Sequence, residues 1–327
     1  MSDMNCRQRF RETMRFGSPD RAPLFDEGIR EEVFRKWRQQ GLSRRSDLSK
    51  MFSYDTLDWI EPNLDPRPRL KNWSYSWPLL DELKQRLNPE DTRRLPRRWR
   101  KKIRAWQKRD HVLMLRVHQG FFLSMGVYGW KRFKEVIHLL TENPELVREV
   151  MMGQGLFAAR LTERILRDVD IDAAVFVEPI AENHGHLISP KMYEELVLSS
   201  YQPLLEVLAR CGVETIIFLS FANPKLLIPS ILKEGFNCLW AYEVNMEAMD
   251  YRNLLQEFGG DLRLIGGIDL DTLHGDKRAI RREIEQKVPL LLANGGCIPM
   301  VDGRIRENIL FENYAYYRRR LEKMVQS

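Results

Sequence analysis

No apolar run in this chain is long enough to span a bilayer, and the opening MSDMNCRQRFRETMRFGSPDR lacks the apolar middle of a secretory signal. These absences argue against membrane-spanning and exported classes, so a cytoplasmic protein is expected. Cysteine pairs are missing too. Cys6, Cys211, Cys238 and Cys297 are scattered without metal-type spacing, which favours reduced thiols over a disulfide scaffold. Acids are absent from one stretch, RRLPRRWRKKIRAWQKR at Arg93–Arg109, which carries ten basic residues and much of the +6 formal charge. Such a run can attract a polyanion through charge alone. Trp99, Ile103 and Trp106 recur at helical spacing, however, so the stretch reads better as an amphipathic helix with a solvated basic face. No nucleic-acid module accompanies it.

What is present supports one large core. With 327 residues and 43% hydrophobic composition, the chain can fold as a single domain over 1–327, including N-terminal covering helices. The pattern predicts a helix over Arg7–Phe16, a short strand at Ala22–Phe25 and a helix over Glu31–Gln40. An irregular, Trp- and Pro-rich covering segment follows at Asp58–Pro78. Strand-like runs then recur at Val112–Val117, Ala173–Val177, Glu214–Leu219, Cys238–Tyr242, Leu262–Ile268 and Cys297–Val301. Helix-compatible segments separate them, among them Trp130–Leu140, Pro144–Leu166, Pro190–Arg210 and Asp276–Ala293. Four of the runs close on a carboxylate: VFVE at Glu178, CLWAYE at Glu243, LIGGID at Asp269 and CIPMVD at Asp302. Parallel strands joined by crossover helices would deliver such acids to one mouth, and a closed barrel is the expected architecture.

The segments NPELVREVM, ISPKMYEELVLSSYQPLLEVL, DLRLIGGID and GGCIPMVDGRIRENILFENYAYY resemble the uroporphyrinogen decarboxylase superfamily, which includes cobalamin-associated methyltransferases. The resemblance runs from RFRETMRFGSPDRAP to ENYAYYRR and is strongest after Thr141. It implies a single (β/α)8 barrel with a ligand cleft at the carboxyl ends of the strands. The sequence departs from the decarboxylase pattern in two places. The substrate-binding RQAGR motif has no counterpart in APLFDEGIREEVF, and VDGR stands where related proteins often read DHR. Gly303 thereby removes a histidine side chain between Asp302 and Arg304.

For the methyltransferases, the resemblance implies zinc held by an HxC pair and a later cysteine. The equivalent segment IIFLSFAN has neither His nor Cys, and Cys297 lies within an apolar strand, so that thiol-activating site is not supported. A different metal site would need Glu178, Glu182, His184, His186 and His118 to converge.

The residues themselves suit proton transfer and anion binding. Glu178, Asp302, His118 and Glu182 are the catalytic candidates, as carboxyls or imidazoles that trade protons. Arg304, His184, Asp55, Glu243 and Asp269 are candidates for substrate contact, Arg304 by a charge-assisted bidentate bond. Each has a scaffold alternative. Glu178 can accept from a turn, Asp302 can pair with Arg304, Glu243 with Asn245 can cap a helix, and Asp269 with Asp271 can organise the GGID loop. Asp55 can be purely structural, and Tyr193 and Tyr201 can brace a helix face. The expected function is methyl transfer involving a small methylated or anionic substrate, with a corrinoid or its carrier protein as partner and a homodimer as a further expectation. Decarboxylation of an organic acid is the alternative, followed by a binding barrel without catalysis.

Overall fold

The computed structural model describes residues 3–70, 73, 76–182, 184–244 and 249–326. Its strands are β1 (Leu57–Ile60), β2 (Val112–His118), β3 (Ala173–Val177), β4 (Ala181–Glu182), β5 (Gly185–His186), β6 (Ile216–Phe221), β7 (Cys238–Tyr242), β8 (Arg263–Ile268) and β9 (Cys297–Val301). The chain divides into two compact units, one of residues 1–57, 110–112 and 238–327, the other of residues 58–109 and 113–237.

The expected closed (β/α)8 barrel is not what forms. The main sheet has seven strands in the order β1-β2-β3-β6-β7-β8-β9, and it is open, with β1 and β9 as its two ends. A strand was expected at Ala22–Phe25, but that segment is irregular. Pro23 has no N–H to give to a ladder. The Leu24 N–H is taken by the Asp55 carboxylate at 2.8 Å, and the Leu24 carbonyl accepts the Asp55 N–H at 3.1 Å. A side chain thus occupies a donor that a strand at this position would need.

In the first unit, β7, β8 and β9 run parallel, with Trp240 opposite Ile265 and Ile268 opposite Val301. Apart from Arg263 at the start of β8, these strands are almost entirely apolar, as suits strands covered on both faces. The helix Lys277–Leu292 begins under an Asp276 cap and turns Ile280, Ile284 and Val288 inward, four residues apart. Trp37, fully enclosed on the helix Glu31–Gln39, packs on Tyr314 at 4.9 Å and donates its indole N–H to the Ile309 carbonyl at 2.8 Å.

The second unit pairs β2 with β3 and β3 with β6, all parallel, with Val177 opposite Leu219. The short antiparallel pair β4–β5 follows β3. The helix Pro144–Asp168 is started by an Asn143 cap and by a proline placed where its missing N–H costs nothing. The helix-compatible segment Pro190–Arg210 forms Pro190–Leu196, a 3-10 turn Leu198–Tyr201 and Gln202–Arg210. Pro203, which cannot continue a helix from the preceding turn, accounts for the break. The basic stretch forms the helix Trp99–Trp106, with Trp106 buried and the Trp99 indole donating to Asp168 at 2.7 Å. Among the described residues no helix is long and apolar enough to cross a membrane.

Replacing Trp37 by Ala removes both the ring contacts and the hydrogen bond to Ile309. A loss of about 3–5 kcal/mol is expected, read as a lower denaturation midpoint in urea at unchanged slope.

Candidate functional site

In the second unit, the strand-end acid of β3 is enclosed completely. The Glu178 N–H donates to the Leu219 carbonyl at 2.7 Å, which continues the β3–β6 ladder by one residue. Its Oε1 accepts the Phe121 N–H at 2.9 Å, and its Oε2 accepts the Tyr193 hydroxyl at 3.1 Å and the Tyr201 hydroxyl in a shorter contact. Gly120, at φ +81°, makes room for this, because a Cβ there would lie 2.8 Å from Glu178 Oε1. Burial pushes the Glu178 carboxyl up from 4.5 to about 7, against the lowering effect of the Tyr201, Phe121 and Tyr193 donors.

His118 ends β2 with its Nδ1 accepting the Gly120 N–H at 3.0 Å and its ring 4.6 Å from that of Tyr201. Burial pulls its pKa down to about 3, so the imidazole is neutral at physiological pH. Glu182 and His184 are exposed on the β4–β5 hairpin. Asn183 and the His186 side chain lie outside the described residues.

The first unit holds the other strand-end acids. Asp302 Oδ1 accepts the Leu270 N–H at 3.0 Å and its Oδ2 accepts the Val244 N–H at 2.9 Å. Its own N–H reaches the Ile268 carbonyl at 3.0 Å, and its carbonyl accepts the Glu243 N–H at 2.5 Å. One residue therefore ties the chain past β7 and β8 to the end of β9. Burial raises the Asp302 carboxyl to about 7, with the neighbouring Asp269 adding to the shift and the backbone donors opposing it.

The ion pair considered between Asp302 and Arg304 is not among those of the described residues. Arg304 faces Glu27 instead, at 3.9 Å. Glu243 is exposed, sits in the left-handed region at φ +52° and lies 3.8 Å from Arg306. Asn245, considered as its capping partner, lies outside the described residues. Asp269 caps the turn Leu270–His274 through the Asp271 N–H at 2.8 Å, and Asp55 is enclosed by Arg9, Arg21 at 2.6 Å and the Leu24 N–H.

Two residues that sequence reasoning did not single out complete this unit. The Glu27 side chain is only 7% exposed, and its Oε1 is buried without a hydrogen-bond partner. The Tyr242 side chain at the end of β7 stands near the Glu27 carboxyl. Burial pushes that carboxyl up from 4.5 to about 7, with Tyr242 and Arg304 pulling it down and Asp26 adding to the rise. The signal was present in the sequence. PLFDE is a further apolar run closing on acids, although it ends no strand.

The family model for uroporphyrinogen decarboxylase matches residues 122–296, more than half of the chain. The chain belongs to the uroporphyrinogen decarboxylase family. The matched span contains Glu178, Glu182, His184, Glu243 and Asp269, whereas Glu27, Asp302 and Arg304 lie outside it. No curated protein sequence matches. Among solved structures, a methyltransferase from Methanosarcina mazei is similar at a TM-score of 0.60 and 12% identity, over 98% of this chain and 99% of that one. At that identity the likeness concerns the fold.

Among the described residues no three His, Cys, Asp or Glu are grouped to hold a metal ion. Cys238 and Cys297 are free thiols buried within strands, and burial pushes both thiols up, away from the thiolate that zinc needs. The donor set does not fit a zinc site. The two imidazoles fit cobalt no better, since His118 Nδ1 is occupied and His184 stands on an exposed hairpin.

The pH dependence of stability follows from Glu178. Its folded value lies above its ordinary 4.5, so the stability it contributes is fully present below that pH and lost as pH rises through about 7. Asp302 and Glu27 act in the same direction. Urea denaturation at pH 5 and pH 8 is expected to show the protein weaker at the higher pH. Glu178→Gln should flatten that difference while lowering stability at pH 5 by about 1–3 kcal/mol.

Proposed function

We propose that this chain is a methyltransferase-type enzyme that acts on a small methylated or anionic substrate. The observation that carries this reading is the reach of the fold likeness, which takes in nearly the whole of both this chain and a methyltransferase. Arg304 suits the anion-holding role, because its guanidinium is 58% exposed and the acid it faces among the described residues, Glu27, stands beyond hydrogen-bond reach at 3.9 Å. Asp302 positions it by fixing the chain at the end of β9. In the second unit Glu178 and His118 play the corresponding positioning role for the ends of β2 and β3. Within the first unit Glu243 is exposed and available to substrate, while Asp55 and Asp269 hold loops; in the second unit Glu182 and His184 are exposed on their own hairpin. A corrinoid or its carrier protein is the proposed methyl acceptor, delivered from outside the chain, and the roles of the chain's own residues do not depend on it.

The second reading is decarboxylation of a small organic acid, favoured by the family model's match to more than half of the chain. That reaction needs a donor to protonate the carbanion as the carboxylate leaves. Glu178 and Asp302, both held near neutrality, have their oxygens occupied by other donors.

The two readings separate on product. The purified protein would be incubated with small acids carrying a 13C-labelled methyl or carboxyl group, with and without a reduced corrinoid. Label appearing on the corrinoid supports methyl transfer, labelled carbon dioxide supports decarboxylation, and neither product across the panel counts against both. For whichever substrate turns over, Arg304→Gln is expected to raise KM about 10- to 100-fold with a smaller change in kcat, since it removes a charged hydrogen bond made in substrate and transition state alike.

A further inference from the structure

We propose that Glu27, Tyr242 and Arg304 form a proton-linked binding site for a monoanionic carboxylate, in which protonated Glu27 donates to the ligand and Arg304 neutralises it. This deepens the reading of Arg304 as the anion holder and rests on it. The geometry starts from an oxygen that is out of place. Glu27 Oε1 is buried and has no partner, although a buried polar atom left unpaired costs on the order of 1–3 kcal/mol. Arg304 stands nearest the other oxygen, Oε2, so Oε1 is the one that can carry the proton and point it at a ligand.

Arg304 approaches the same carboxyl from the end of β9 at 3.9 Å, too far for a hydrogen bond. Its guanidinium therefore keeps donors for an incoming anion. A carboxylate seated there would accept from Arg304 through one oxygen and from Glu27 through the other. An ionised Glu27 has no proton to give and would repel it.

The charges around Glu27 select a single negative charge on the ligand. Arg306 is engaged by Asp271 at 2.9 Å and lies 3.8 Å from Glu243. Arg318 donates to the Phe25 and Ser53 carbonyls and lies 3.9 Å from Asp26. Asp26 accepts from Gly28 and from Tyr314, whose hydroxyl also contacts that of Tyr54. Arg304 is left as the uncommitted cation facing Glu27, with Asp26 as the nearby acid. One cation and one neutral donor match a monocarboxylate. A phosphate dianion would carry a second charge toward Asp26 without compensation.

Glu27 titrates near 7, so binding to its protonated form takes up a proton, and affinity should fall by up to about tenfold per pH unit above that value. The test uses the full chain with acetate as the probe and inorganic phosphate as the more highly charged control. Isothermal titration in buffers of different ionisation heat reads proton uptake. Carbon NMR of glutamate labelled at the carboxyl carbon, with Glu27→Gln for assignment, reads Glu27 directly.

The expected result is acetate binding with proton uptake at pH 7–8, an upward shift of the Glu27 titration on adding acetate, and weaker binding of phosphate. Arg304→Gln should abolish acetate binding, and Glu27→Gln should retain it with the pH dependence gone. A wild-type acetate affinity independent of pH, or a Glu27 resonance unmoved by acetate because water alone fills the gap, would overturn the proposal. Phosphate binding as tightly as acetate would do the same. Turnover together with pH-independent acetate binding would sink this inference and leave the proposed enzyme standing. Proton-linked acetate binding without any turnover would sink the enzyme and leave the site.

Discussion

A carboxylate taken out of water must find donors inside the protein, and at the ends of these strands the donors are backbone N–H groups of neighbouring loops. Asp302 is the clearest instance, with one oxygen on Val244 and the other on Leu270. Losing that carboxylate would leave two enclosed N–H groups unpaired and release the chain past β7 and β8 from the end of β9. Arg304, two residues further on, owes its position to this arrangement. The same requirement, met by Phe121, Tyr193 and Tyr201, keeps Glu178 in place in the other unit.

Donors that fully occupy a carboxyl also restrict what it can do. Glu178 and Asp302 are both held near neutrality by burial, yet their oxygens are spoken for. Glu27 has the same shift and a free oxygen, so its proton has somewhere to go. The difference lies in partners, because desolvation is the leading cause of the shift at all three. Of the three, Glu27 is the one with an oxygen left for a ligand.

Much of the fold was legible in local pattern. The runs at Ala173–Val177, Cys238–Tyr242 and Cys297–Val301 form strands with those bounds, since short apolar segments flanked by polar residues and turns have few other ways to be covered on both faces. The helix starts at Trp130, Pro144 and Pro190 were equally visible. Closure of the sheet was not. At Ala22–Phe25, where a strand is expected, a carboxylate 31 residues away takes the Leu24 N–H. The break near Pro203 follows from a residue plain in the sequence.

By itself, the sequence determined most of the strand and helix segments, the acids that follow the apolar runs, the family resemblance and the absence of an HxC pair, because each depends on residues close together in the chain or on residue identity alone. Tertiary structure decided that the sheet stays open, that Tyr193 and Tyr201 converge on Glu178, and that Arg304 faces Glu27 in place of Asp302. Those outcomes turn on which donor reaches which buried oxygen across many residues of chain. Hydrophobic pattern carries no record of that, since it reports how much of a segment is buried and not what its polar atoms meet there.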